Sequence, residues 1–198
     1  GLDLEMFNGN HSNSHYYKPE NGEVIIGNAA RFSEEKGHPY LFDLAYALKN
    51  DDINFKLLLA GTGKLEMKYK KQVESMQIDD KVEFLGFIED IKLFNENIDI
   101  FVLTSEWEGF GYVMVEAMAA GKPVVAFDIR SSAEIVENGK TGYLVKKGDI
   151  NELVLRVKEL IRNKGLRDKF GQEGKIRVEK YFNINKTLIQ FEDLLKMR

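Results

Sequence analysis

Residues 98–127 read IDIFVLTSEWEGFGYVMVEAMAAGKPVVAF, and this stretch decides the fold. Ile98–Thr104 is an apolar run interrupted by one aspartate, too short for a helix and rich in β-branched and aromatic residues, so it predicts a buried strand. Ser105–Gly109 is a polar, glycine-bearing loop that opens into Tyr112–Ala120, apolar nearly all round and therefore expected to be a buried helix. Pro123–Phe127 returns as a second buried strand. A strand, a helix and a strand within about thirty residues make a right-handed parallel crossover unit.

The same alternation extends in both directions. Glu23–Ala29 predicts a strand, followed by a helix over 38–49 with Pro39 in its first turn and Leu41, Leu44, Ala45 and Leu48 on its buried face. Asn54–Ala60 predicts the next strand, and a charged helix with Leu65, Tyr69 and Val73 follows it. Val82–Leu85 and Gly142–Val145 complete six strands, with further helices near 89–96, 149–163, 165–181 and 184–197. The strands are continuous apolar runs, as sheets covered on both faces require. The predicted fold is a Rossmann-like, doubly wound α/β domain: a mostly parallel six-stranded sheet with helices on both faces. It should span 23–198, with 1–22 as a polar linker segment. Ligands of such sheets bind at the carboxyl ends of the strands.

Composition narrows the function. The 198 residues carry 28 basic and 32 acidic side chains, a formal charge of -4, which gives no reason to expect nucleic acid as a partner. There is no cysteine, hence no disulfide, thiolate metal site or cysteine nucleophile. No apolar stretch approaches the roughly 20 residues that span a bilayer. His11 and His15 are spaced for a metal only on a helix, which their polar surroundings do not predict.

Several residues at the predicted binding edge bear chemistry. Arg31 and Lys36 lie in the loop after the first strand, near a helix N-terminus whose free amides suit a phosphate; the plain alternative is two solvated cations. Glu116 is the single charge of the apolar helix, so it needs donors such as ribose hydroxyls, neighbouring strand amides or Arg31. Glu108 precedes that helix beside two glycines, with the amides of Phe110 and Gly111 next to it; alternatively it only complements the helix dipole. Gly61 and Gly63 form a weak signal after the second strand. Phe87 and Ile88 are placed to flank a planar base, or to fill the core. Trp107 and Tyr112 flank the Glu108 loop and are placed to shape a sugar pocket, or to serve structure alone.

Glu108-Gly-Phe-Gly, Glu116 and the run Ala117–Ala126 together resemble the signature of the retaining glycosyltransferases of family 4, which have the GT-B architecture. Arg31–Gly37, Leu58–Gly63, Val82–Gly86, Glu134–Val136 and Gly139–Val145 are similar to further stretches of that family, so the resemblance covers nearly the whole chain. It implies that this is the C-terminal, donor-binding half of a GT-B fold. Arg31 and Lys36 would neutralise the donor diphosphate, and Glu108 would contact the transferred sugar with the Phe110 and Gly111 amides. Glu116 would hold the ribose, and Phe87 and Ile88 would lie against the base. No cofactor or divalent metal is implied.

The partners implied are a nucleotide-diphosphate sugar and, through an N-terminal domain that this chain does not include, an acceptor glycan or lipid-linked glycan. The implied setting is cell-surface polysaccharide or lipopolysaccharide synthesis in the cytoplasm, with peripheral association at the inner face of the membrane for the full-length parent. Gly1–Phe7 resembles the interdomain connection. Two positions depart from the family pattern: Ala30 where a glycine usually precedes the arginine, and Ile129-Arg130-Ser131-Ser132 where a glycine pair often stands near the donor sugar. A dehydrogenase-type dinucleotide domain is disfavoured, because Gly27–Arg31 holds no Gly-x-Gly-x-x-Gly; a non-catalytic scaffold is the other alternative.

Overall fold

The computed structural model describes Leu2, residues 16–20 and residues 22–184. The helix read at 184–197, His11, His15 and most of the Gly1–Phe7 connection lie outside the described residues. Leu2 is described, and its backbone meets Phe182 and Ile184 at the other end of the chain.

Six strands form one sheet: β1 (Val24–Ala29), β2 (Phe55–Ala60), β3 (Val82–Gly86), β4 (Ile100–Leu103), β5 (Val124–Phe127) and β6 (Gly142–Val145). Their spatial order is β3-β2-β1-β4-β5-β6, and every pairing is parallel. The order reverses between β1 and β4, which creates the crevice where such sheets bind ligands. Among the described residues seven α-helices connect or follow the strands: α1 (His38–Asn50), α2 (Glu66–Ser75), α3 (Ile91–Glu96), α4 (Tyr112–Ala119), α5 (Arg130–Ile135), α6 (Ile150–Arg162) and α7 (Lys164–Tyr181).

Side chains alternate along each strand between two apolar layers. Ile26, Leu57, Leu59, Val102 and Val125 pack with α1, α2 and α6 on one face. Ile25, Leu58, Phe101, Val124 and Ala126 pack with α3, α4 and α5 on the other. The long α7 wraps the edge, giving Phe170 to the first layer and Val178 to the second. The strands are apolar throughout because each face has its own core.

Two expectations need correction. The strand read from Ile98 starts at Ile100, because Asp99 is spent on β1: its carboxylate accepts from the Ile25 amide, and its own amide donates to the Ile25 carbonyl. The segment after Asp128, read without regular structure, contains α5. Its turn and a half is too short to show periodicity, and two of its buried positions are serines, Ser131 and Ser132.

His38 opens α1 fully buried, its ring packed against Phe32 and Tyr69 with centroids 4.9 and 5.2 Å apart. Neither ring nitrogen has a hydrogen-bond partner among the described residues. Burial, with Lys36 adding repulsion, pushes its pKa down from 6.5 to about 4. The folded state therefore binds fewer protons than the unfolded one between those values. Stability should be full above pH 6.5 and fall as pH drops towards 4, by about 3 kcal/mol. Urea denaturation across this window should show that slope in the natural chain and a shallower one in His38→Phe. Equal slopes would contradict the assignment.

Candidate functional site

The carboxyl ends of the strands are knitted together by backbone bonds between their loops. Ala30 donates to the Ala60 carbonyl at 3.0 Å, Phe32 to Thr62 at 3.0 Å, and Gly61 to Gly86 at 2.7 Å. On the other side of the crevice Glu106 donates its amide to the Glu35 carbonyl at 2.8 Å, and the Thr104 hydroxyl donates to the Gly37 carbonyl at 3.0 Å. The loops after β1, β2, β3 and β4 therefore share one frame.

Gly37 is one of the tight joints of that frame. Its φ of 64° is left-handed, and a Cβ there would lie 2.1 Å from the Thr104 carbonyl oxygen. Gly61, at φ 136°, meets the Ala30 carbonyl just as closely. The second glycine thus accommodates the backbone beside Ala30, the position that departs from the family pattern.

The frame brings Lys36 and Glu108 together across 72 residues of sequence: Lys36 Nζ donates to Glu108 Oε1 at 2.7 Å. The pair is largely shielded, with side-chain exposures of 19% and 10%. The buried Ser105 hydroxyl donates to the same oxygen, also at 2.7 Å. Sequence reasoning placed Lys36 and Glu108 in one site but did not anticipate this pairing. Arg31, by contrast, is exposed, and no acceptor among the described residues engages its guanidinium.

Cavities formed by the described residues line this edge of the sheet. One of about 380 Å³ is walled by Ala30, Arg31, Gly61, Phe87, Ile88 and Val113, so four of the sequence-predicted residues meet there. Phe87 is 75% exposed, which rules out the core role considered for it. A second, of about 570 Å³, holds Gly63 with Arg31, Glu34, Thr62 and Lys64. The third, of about 390 Å³, lies between the loops after β4 and β5 and includes Trp107 and Glu108.

The remaining predicted residues belong to α4 and its approach. Gly111 caps α4 in a left-handed conformation. Among the described residues the amides of Phe110 and Gly111 meet no acceptor. The Phe110 ring packs against Tyr112 at 4.7 Å and Phe182 at 6.0 Å. Tyr112 is half-exposed, so α4 is less buried at its start than its apolar sequence suggested. Glu116 stands one turn behind Val113 of the first cavity. Neither strand amides nor Arg31 satisfy its carboxylate among the described residues, and burial raises its pKa above the usual carboxylate range.

Sequence reasoning missed Glu106, Ser105 and Lys147. Glu106 accepts from Lys147 at 2.9 Å and from the Tyr40 hydroxyl at 3.3 Å, which ties the β4 loop to α1 and to the loop after β6. The hydrogen bond from Lys147 holds the Glu106 carboxyl below its ordinary pKa. Nothing in the sequence linked residues so far apart.

Residues 13–177 match the family described as glycosyl transferases group 1. Over 200 residues the chain is 29% identical to the capsular polysaccharide biosynthesis glycosyltransferase CapM of Staphylococcus aureus, covering all of this chain and 52% of that protein. It spans about half the length, or less, of the curated relatives it matches. The crystal structure of HepE from Anabaena in complex with UDP and glucose superposes with a TM-score of 0.86 at 26% identity, covering 100% of this chain and 56% of that one. The C-terminal domain of a glycosyl transferase group 1 family protein from Francisella tularensis gives a TM-score of 0.80 at 25% identity, covering 93% of this chain and all of that one.

Replacing Gly37 by Ala should lower stability by about 2 kcal/mol or more, because it combines a disfavoured φ with a backbone clash. The midpoint of urea unfolding measures this. An unchanged midpoint would mean that the β1 and β4 loops are not rigidly joined.

Proposed function

The chain belongs to the glycosyl transferases group 1 family, and on that footing we propose that it is the donor-binding domain of a retaining glycosyltransferase. In the parent enzyme it would help to move a hexosyl group from a nucleotide-diphosphate sugar to a hydroxyl acceptor. The observation that carries this reading is the Lys36–Glu108 pair at the β1–β4 crevice, on the same sheet edge as a nucleoside-sized cavity walled in part by Arg31. In such a transfer the bond between the sugar's anomeric carbon and the distal phosphate breaks, and negative charge develops on the diphosphate. Arg31, Lys36 and the amides of Phe110 and Gly111 are the groups that would stabilise it. Phe87 and Ile88 would lie against the base and Glu116 would take the ribose hydroxyls.

These cations and amides supply the positive charge that a divalent ion would otherwise bring, so no metal is needed for donor binding. Likeness to the capsular polysaccharide biosynthesis glycosyltransferase CapM supports a role in cell-surface polysaccharide synthesis; lipopolysaccharide synthesis and a glycan or lipid-linked glycan as acceptor belong to the proposal. Likeness to the UDP- and glucose-bound HepE structure supports a nucleotide sugar as donor. Among the described residues no helix is long and apolar enough to cross a membrane; a place in the cytoplasm or at the inner membrane face is part of the proposal. Likeness to the Francisella C-terminal domain supports reading this chain as one domain of a larger enzyme; that another domain holds the acceptor, so that this chain alone should transfer sugar poorly or not at all, is part of the proposal.

One observation favours a non-catalytic scaffold instead: Lys36 and Glu108 already pair with each other across the crevice. Calorimetric titration with UDP, GDP, ADP and NAD separates the readings. Binding of a uridine or guanosine diphosphate, unaffected by EDTA, supports donor binding. Preference for NAD would indicate a dinucleotide domain, and no binding at all a scaffold. Lys36→Ala should weaken diphosphate binding by about 1.5–3 kcal/mol, the size of a charge-assisted bond; equal affinity would remove Lys36 from the site. The ribose role of Glu116 has its own test. The natural chain should bind the preferred nucleotide more tightly than its 2′-deoxy form, and Glu116→Ala should erase that difference.

A further inference from the structure

The loop between β4 and α4 is held unequally along its length. Its first half is tied by polar contacts: the Glu106 amide donates to the Glu35 carbonyl, and Lys36 and Ser105 both donate to Glu108. Beyond Glu108 such ties stop. Among the described residues Gly109, Phe110 and Gly111 donate no hydrogen bond, and a Cβ on Gly109 would meet nothing within 4 Å. Phe110 thus stands between two glycines, the residues that restrain a backbone least. We infer that Phe182, at the end of α7, is a positioning residue: its ring fixes Phe110 and so aims the open amides of Phe110 and Gly111. This rests on the donor-binding reading above, in which those amides face the diphosphate.

The contact is the last rung of a seam between α4 and α7. A Cβ on Gly171 would overlap the Gly121 carbonyl, so α7 is pressed against the end of α4 there. Gly174 lies over Met118, where a Cβ would come 3.4 Å from the Met118 Cβ. Val178 shares a core layer with Met114 and Met118. Phe182 then meets Phe110 edge to face, with ring centroids 6.0 Å apart and planes at 72°. Gly121, Met118 and Phe110 thus pair with Gly171, Gly174 and Phe182 in one antiparallel register at helical spacing. The seam lends the rigidity of two packed helices to a stretch of loop with few ties of its own.

Phe182 is itself well anchored. Its amide donates to the Val178 carbonyl at 2.9 Å, and its carbonyl accepts from the Leu2 amide at 2.6 Å. The other ring neighbour of Phe110 does not replace it. Tyr112 lies two residues further along the same segment and is 50% exposed, so it offers no fixed wall. An edge-to-face pair also sets the orientation of both rings. Amides held in place before a ligand arrives stabilise its charge without reorganising, and that advantage is what the Phe182 contact supplies.

Calorimetry with uridine and UDP isolates the diphosphate's share of binding, with guanosine and GDP in their place if guanine is the preferred base. In Phe182→Ala the ratio of UDP to uridine affinity should fall roughly fivefold, about the effect of losing one amide–phosphate hydrogen bond. Phe110→Ala should lower it equally, and the double variant should lose no more than either. Phe182→Leu keeps an apolar side chain at the rung and should restore most of the ratio. Val178→Ala removes core volume from the same helix; it should lower the thermal midpoint and leave the ratio alone, which separates positioning from stability. An unchanged ratio in Phe182→Ala, an equal loss for uridine and UDP, or additive losses in the double variant overturns the proposal. If the natural chain binds no nucleotide, the donor-site reading fails first, and backbone amide relaxation still tests the contact. Phe182→Ala should then lower the order parameters of Phe110 and Gly111 but not that of Glu106. Unchanged order parameters at Phe110 and Gly111 overturn the inference by themselves.

Discussion

Every feature of this site follows from the parallel pairing of β1 with β4. Parallel strands end on the same side, so the loops after β1, β2, β3, β4 and β5 crowd one edge of the sheet. The reversal of strand order between β1 and β4 opens a crevice there. Had either strand run the other way, Lys36 and Glu108 would lie at opposite edges. The direction of the pairing depends in turn on the buried crossover helices, because a two-sided apolar sheet needs a helical layer on each face. The core and the site are thus one construction, and the apolar runs that build the first also aim the second.

The loops have little freedom within this frame. Backbone bonds join neighbouring loops, and Gly37 brings the β1 loop against the Thr104 carbonyl without the space for a side chain. Glu106 adds a third tie, to Lys147 and Tyr40. Such fixed loops suit electrostatic stabilisation, which depends on charges and amides held in place before a ligand arrives. Among the described residues the carboxylate of Glu116 and the exposed guanidinium of Arg31 stand at this edge without a hydrogen-bond partner, as groups open to a ligand would.

The sequence and the structure agree where the physics is local. The strands from Val24, Phe55, Val82, Val124 and Gly142 were legible because both-face burial writes a continuous apolar run. Helices α3, α6 and α7 begin close to where the sequence placed them, and Asp90, Asp149 and Asn163 cap those starts through their side chains. Helix α5 was not legible, since six residues with two buried serines show no period. At the site, residue types and positions relative to strand ends identified Arg31, Gly61, Phe87 and Ile88, which do meet around one cavity. Pairings across long stretches of chain were beyond reach. The contacts of Lys36 with Glu108 and of Glu106 with Lys147 depend on how loops fold over the edge, and no spacing encodes that. The exposed Tyr112 marks another limit, because an apolar helix start can face a crevice as well as a core.

The ion pair between Lys36 and Glu108 also changes what occupancy of this crevice means. A phosphate that engages Lys36 does not simply add itself to a waiting cation; it takes the place of an anion that the protein already supplies. Capture is thereby an exchange of counterions, and the ammonium is never left bare to attract whatever small anions the solvent carries. The Lys36 end of the crevice, though not the exposed Arg31, should respond poorly to lone anions such as chloride or acetate. It would yield to a ligand whose other contacts compensate for displacing Glu108.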